Sequence, residues 1–132
     1  MSYQLDAMPA MVAHARERAR KALADWGLLE HLDLTQLIIS ELATNAICHG
    51  SGPITVRLSY AQGQLHFRVH DFGHGRPARR QPSPQDESGR GLELVDALTA
   101  LHGGGRTVAN DDAGQGKTVC VSVDLRASTA SL

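Results

Sequence analysis

The sequence predicts a two-layer α/β sandwich in which helices cover one face of a mixed, mostly antiparallel sheet. Three observations carry that expectation. The first third of the chain repeats its apolar residues every three to four positions, as buried helix faces do. Two segments in the middle alternate apolar and polar residues and are joined by a short glycine turn, as a hairpin requires. A last helical stretch is followed by two more strand-like runs, and helices stacked on such a sheet make two layers. With 132 residues and 14.1 kDa, folding hides roughly two-thirds of the open chain's surface, enough for one core. The expected domain therefore spans residues 1–132.

The elements follow in order. Met11, Val12, Ala15, Ala19, Ala22, Leu23 and Trp26 define a first helix, with Pro9 in its opening turn and Gly27 as its stop. Before it, Tyr3-Gln4-Leu5 reads equally as a strand or as a disordered lead-in. Asp33 with Gln36 forms a capping-box pattern for a second helix through Leu34, Leu37, Ile38, Leu42 and Ala46 to Gly50. Ile54, Val56, Leu58 and Tyr60 share one side of the first hairpin strand. Leu65, Phe67, Val69 and Asp71 share one side of the second, with the turn at Ala61-Gln62-Gly63. Residues 76–88 hold three prolines and three arginines and no aliphatic side chain larger than Ala78, which marks a surface loop of functional length. A third helix is expected from about Gly91, carrying Leu92, Leu94, Val95, Leu98 and Leu101, with strands near Arg106–Ala109 and at Thr118–Leu125.

Composition excludes several functions. Thirteen Lys and Arg against fourteen Asp and Glu give a net charge of −1, so direct binding of nucleic acid through a positive excess is not expected. Cys48 and Cys120 are the only cysteines; their spacing suits no disulfide scaffold, and a cytoplasmic location is expected. No apolar run reaches membrane-spanning length, and Asp6 and Arg16-Glu17-Arg18 interrupt the stretch where a signal peptide would be apolar. No contact with membrane is expected.

Three short patterns carry chemistry. Glu41 and Asn45 in SELATNAICHG lie four residues apart on one helix face, and His49 extends the line by a turn. Two polar residues at this spacing ordinarily make a solvated face. Here Leu37, Ile38, Leu42 and Ala46 surround them, which places the pair at the edge of an apolar stripe, as at a cleft. Asp71 in HDFGHG continues the inward series of its strand, and Gly73 and Gly75 then let the backbone turn close to a ligand. Asp and Gly are also common in ordinary turns. Ser88-Gly89-Arg90-Gly91-Leu92 leads into the third helix, where free N–H groups and the dipole suit a phosphate and Arg90 adds a charge-assisted contact. Gly114-Gln115-Gly116-Lys117-Thr118 looks like a Walker ending but precedes a strand, so it lacks the phosphate-cradling geometry.

The order of these patterns is more specific than any one of them. ExxxN on a helix, DxGxG at the end of a strand, a proline-rich loop, GxGL opening a helix and a final G-x-T strand resemble the ATP-binding domain of gyrase, MutL, heat-shock chaperone and histidine-kinase ATPases. SELATNAICHG, HDFGHG, ESGRGLELVDAL and GQGKTVCVSV are most similar to the small anti-sigma factor serine kinases and their ATP-binding regulator relatives. The likeness runs from about Leu5 to Leu125 and implies the histidine-kinase-like ATPase fold.

That resemblance implies ATP and Mg2+ as cofactors. It makes Asn45 the magnesium ligand, which suits a hard cation that takes oxygen donors, and gives Glu41 the role of positioning or activating the attacking group. Asp71 would read the adenine amine, with Gly73 and Gly75 shaping that end of the pocket. Gly89, Arg90, Gly91 and Leu92 would enclose the phosphates beneath a lid at 76–88. Thr118 would contact adenine only if a bulge turned it, because alternation through Val119, Val121 and Val123 points Lys117 inward and Thr118 outward. Cys48 stands where many relatives have a basic residue.

The implied function is an anti-sigma factor that phosphorylates a serine or threonine of an antagonist protein. The alternative is a regulator of the same fold that binds nucleotide and holds a partner without phosphoryl transfer. The implied partners are a sigma factor, an antagonist protein and a second copy of the chain. A histidine-kinase fragment is disfavoured because His14 lacks a phosphoacceptor context. A metal site at His66 and His70 is disfavoured because four residues of strand separate them by roughly 13 Å.

Overall fold

The computed structural model describes residues 1–6, 8–49, 52–72, 87–110 and 116–126. Its elements are β1 (Ser2–Leu5), α1 (Met11–Trp26), a 3-10 turn (Leu29–His31), α2 (Leu32–His49), β2 (Ile54–Ala61), β3 (Gln64–Asp71), α3 (Glu87–Leu101), β4 (Gly105–Asn110) and β5 (Lys117–Asp124). The expected lid at 76–88 lies mostly outside the described residues, as do Gly50, Gly73 and Gly75.

The five strands form one sheet in the order β1-β2-β3-β5-β4. A mixed, mostly antiparallel sheet was expected, and every described pairing is antiparallel. The reason lies in the connection through α3. It carries the chain from β3 to β4, which run in the same direction, but β5 slots between them and pairs antiparallel with both.

Alternation sorts the two faces. Ile54, Val56, Leu58, Leu65, Phe67, Val69, Val119, Val121 and Val123 are buried, while the residues between them are exposed or half-buried. The buried side meets Ala15, Ala19, Ala22 and Leu23 of α1, Ile38, Ile39, Leu42, Ala43 and Ala46 of α2, and Val95 of α3 in one core. The opposite face carries Arg57, His66, Arg68, Cys120 and Ser122, so the helices cover one side only. The three alanines of α1 are small enough for close approach to α2.

Local chemistry sets the ends of the elements. Gly27 closes α1 in the left-handed region at φ 71°, and its N–H is given to the carbonyls of the last turn. The hairpin turns on two residues, Gln62 at φ 54° and Gly63 at φ 79°, with Ala61 opposite Gln64. Two positive φ values define the turn whose twist matches the strands. The tripeptide Tyr3-Gln4-Leu5 is strand, lying along Val56-Thr55-Ile54 at the sheet edge.

All three helix starts differ from expectation. Helix α1 begins at Met11 with Ala10 as its N-cap, so Pro9 lies in the turn before the helix rather than in its opening turn. Asp33 is not a cap: α2 begins at Leu32, continuous with the 3-10 turn, and Asp33 sits in its first turn facing the dipole. Gln36 does not reach back to it. Its Nε2 donates instead to the carbonyl of Arg16 at 3.2 Å and ties α2 to α1. Helix α3 begins at Glu87 rather than near Gly91, so Gly89, Arg90 and Gly91 belong to its first two turns. Glycine disfavours helix by about 1 kcal/mol against alanine, which is why the sequence pointed to a later start.

Candidate functional site

Connectivity brings the predicted site elements to one end of the sandwich. Helix α2 ends at His49, and only four residues separate it from the start of β2 at Ile54. In the hairpin register Thr55 lies opposite His70, so the tail of β3, with Asp71, lies beside the head of β2 and the last turns of α2. Lys117, the first residue of β5, is the register partner of Asp71. The far end of the sheet holds the Gln62-Gly63 turn and the end of β5. There Gly105 of β4 pairs with Ser122, and His102, just after α3, accepts a hydrogen bond from the N–H of Asp124 at 2.9 Å. Helix α3 therefore points its N-terminus, with Gly89 and Gly91, back toward the Asp71 end. Asn45, Asp71 and the mouth of α3 share that end although they are spread over 47 positions of sequence, from 45 to 91.

On α2, Asn45 is 6% exposed and Glu41, one turn earlier, is half-buried. Among the described residues neither side chain has a hydrogen bond or an ion pair. The Asn45 amide is not cut off from water, so a ligand can reach it from the solvent side. A hard cation with its waters, or a phosphate oxygen, is the kind of partner it lacks. The donor set thus fits magnesium: an amide oxygen at the buried position and a carboxylate one turn away toward solvent.

Asp71 is 1% exposed, as its place in the inward series requires, and its Oδ2 accepts a hydrogen bond from the Lys117 ammonium at 3.0 Å. The side chains of the pair are 3% and 1% exposed. Alternation placed Lys117 inward; its pairing with Asp71 was not foreseen, although two inward residues at the joined ends of adjacent strands carried the signal. Thr118 lies on the outward face, half-buried, opposite His70 and Ala109. No bulge turns it, so the inward residue at this height is Lys117. Leu92 is half-buried against the core, one residue beyond Gly91, which fixes where the opening turns of α3 sit.

With that geometry in place, the likeness to known proteins can be set beside it. Residues 30–127 match the family of histidine kinase-, DNA gyrase B- and HSP90-like ATPases. The chain belongs to this family and is an ATP-binding domain of its kind. It is 32% identical over 90 residues to the sensor histidine kinase component HK1 of Mycobacterium tuberculosis, covering 59% of this chain and 54% of that protein. The histidine kinase domain of the blue-light activated histidine kinase from Erythrobacter litoralis EL346 superposes with a TM-score of 0.56 at 26% identity. It covers 74% of this chain and 46% of its own. Histidine kinase AdeS of Acinetobacter baumannii shares the fold alone, with a TM-score of 0.56 at 16% identity over 95% of this chain and 68% of its own. The chain spans about half the length of the curated relative it matches.

Proposed function

We propose that the chain binds ATP with magnesium between α2, the ends of β3 and β5, and the mouth of α3, and passes the terminal phosphoryl group to a partner protein. The observation that carries this reading is Asn45: a residue only 6% exposed whose carboxamide has no hydrogen bond among the described residues, on the helix that also presents Glu41. Asn45 would hold the metal, and Glu41 would orient the attacking hydroxyl. The metal, when bound, spreads the negative charge of the phosphates. The orphan N–H groups of the first turn of α3, Gly89 among them, would receive phosphate oxygens. Phosphoryl transfer leaves a protein little covalent work, so positioning and charge are what these residues supply.

For the acceptor we propose a serine or threonine of an antagonist protein, with a sigma factor as the second partner and the cytoplasm as the setting. The likeness of SELATNAICHG, HDFGHG and ESGRGLELVDAL to anti-sigma factor serine kinases supports this. A second reading makes the acceptor a histidine on a separate chain; the resemblance to longer histidine kinases favours it. Phosphoamino-acid analysis of a labelled partner separates the two, since phosphohistidine is acid-labile and phosphoserine is not.

Titration with a fluorescent ATP analogue, with and without magnesium, tests the site itself. Wild type is expected to bind saturably and more tightly with magnesium. Asn45→Ala should lose the magnesium dependence. Glu41→Ala should keep binding within a few-fold and lose transfer. Absence of saturable binding in the folded wild type would overturn the reading.

A further inference from the structure

The proposed chemistry leaves the Asp71–Lys117 pair at this end of the molecule unused. An ammonium in this place does not serve the core: the inward positions that follow it on β5 are Val119, Val121 and Val123. A buried ion pair stabilises a fold no better than apolar side chains of similar volume. It does serve as a rival for the carboxylate. The exocyclic amine of adenine and the lysine ammonium offer Asp71 the same group, an N–H donor, and the charged donor makes a hydrogen bond roughly twice as strong. The ammonium is tethered to the neighbouring strand at 3.0 Å, and the pair is sealed, with side chains 3% and 1% exposed. A base that takes its hydrogen bond at Oδ2 must displace the ammonium from it.

We infer that Lys117 sets the nucleotide affinity as a built-in stand-in for the base: its ammonium holds Asp71 until ATP displaces it. The inference rests on the reading that Asp71 takes the adenine amine. The apparent affinity is the intrinsic one multiplied by the fraction of molecules whose pair is open, so a closed pair makes the chain a weak binder that responds to high ATP. Removing the ammonium raises affinity for adenine nucleotides in particular.

Calorimetric titrations of wild type, Lys117→Thr, Lys117→Met and Lys117→Arg test this with magnesium and three probes: ATP, inosine triphosphate, which has an oxygen in place of the amine, and tripolyphosphate, which has no base. Lys117→Thr and Lys117→Met are expected to bind ATP at least tenfold more tightly than wild type, with no such gain for the other two probes. Lys117→Arg, which keeps a cation on Asp71, should stay within about threefold of wild type. A merely structural pair would shift all three probes alike, and that result, or no gain for ATP, overturns the inference.

If the neutral variants fail to fold, wild type still decides. The chain has two lysines, Lys21 and Lys117, and Lys21 is exposed. The ammonium of Lys117, shielded from exchange, should give its own proton–nitrogen NMR signal. That signal should vanish at ATP saturation and persist with tripolyphosphate; its survival unchanged at ATP saturation overturns the inference. Folded wild type that binds inosine triphosphate and ATP equally overturns this inference alone. Failure of every folded form to bind any nucleotide overturns the ATP reading with it.

Discussion

Tyr3 shows how one buried hydroxyl can write a pH dependence into the fold. Its ring lies edge-on to His14, with centroids 6.1 Å apart, and beneath the Arg18 guanidinium at 4.5 Å. Its hydroxyl is buried with no hydrogen-bond partner among the described residues. Burial pushes the phenol up from 10.0 to about 12, with Arg18 pulling weakly the other way. The native state thus holds this proton more tightly than the unfolded chain does. The resulting stabilisation is complete below pH 10 and is lost as pH rises through about 12. Discounted for the ring's partial exposure, the loss is on the order of 1–2 kcal/mol. Tyr3→Phe keeps the ring and removes the orphan oxygen. It should match or exceed wild-type stability at pH 8 by up to about 1 kcal/mol and lack the alkaline decline. Urea melts at pH 8 and 11.5, followed by the fluorescence of Trp26, compare the two; an equal decline in both proteins would sink the assignment. At this scale the sequence was informative only where alternation applied. It turned Asp71 and Lys117 inward, but no pattern in a single chain states that a tyrosine three residues from the start meets an arginine fifteen positions later.

Between elements, α3 is tied to β4 by Arg106, whose Nε and Nη2 donate to the two carboxylate oxygens of Asp96 at 2.7 and 2.9 Å. Those hydrogen bonds, and then the charge behind them, hold the Asp96 carboxyl below its ordinary 3.8 and raise Arg106. A depressed carboxylate contributes stability above its unfolded value, and that contribution is lost as pH falls below 3.8 through the lower native value. Since both side chains are partly solvated, at 25% and 47% exposure, the pair contributes under about 1 kcal/mol. Asp96→Asn should therefore lower stability modestly at pH 7 and converge with wild type near pH 2. A gap that stays constant across that range would show that the charge is not what matters. The three helices and three of the strands were legible because each obeys a simple period: 3.6 in α1, α2 and α3, two in β2, β3 and β5. Strand β1, left open between strand and lead-in, and β4, whose residues do not alternate in burial, had no such signal. The boundaries were not legible. Asp33 and Gln36 have the spacing of a cap, but the 3-10 turn ahead of them already supplies helical backbone, and Gln36 has a better acceptor in Arg16. Gly89 and Gly91 read as a break in helix α3, yet they lie within it.

For the whole molecule, the site depends on register and connection order, neither of which a linear pattern contains. Asn45, Asp71 and Lys117 come to one end because β3 runs back along β2 and because β5 inserts beside it. Their chemistry was visible in the sequence; the ion pair that joins two of them was not, since it requires that β5 and not β4 neighbour β3. A site built from segments this far apart exists only in the folded chain, so ATP that binds there must stabilise the entire fold. At a concentration one hundred times the dissociation constant the gain is about 2.7 kcal/mol, which for a chain of this size raises the melting temperature by roughly 10 °C. Asn45→Ala should keep a shift with ATP alone and lose the increment that magnesium adds. Lys117→Thr, which takes the ammonium away from the buried Asp71 carboxylate, should melt lower than wild type without ligand, yet show the larger ATP-induced shift at any fixed concentration. A tenfold gain in affinity adds about 1.4 kcal/mol. Differential scanning calorimetry over an ATP series measures both quantities at once. A smaller shift in the variant than in wild type would mean that the ammonium helps the nucleotide bind rather than standing in its place.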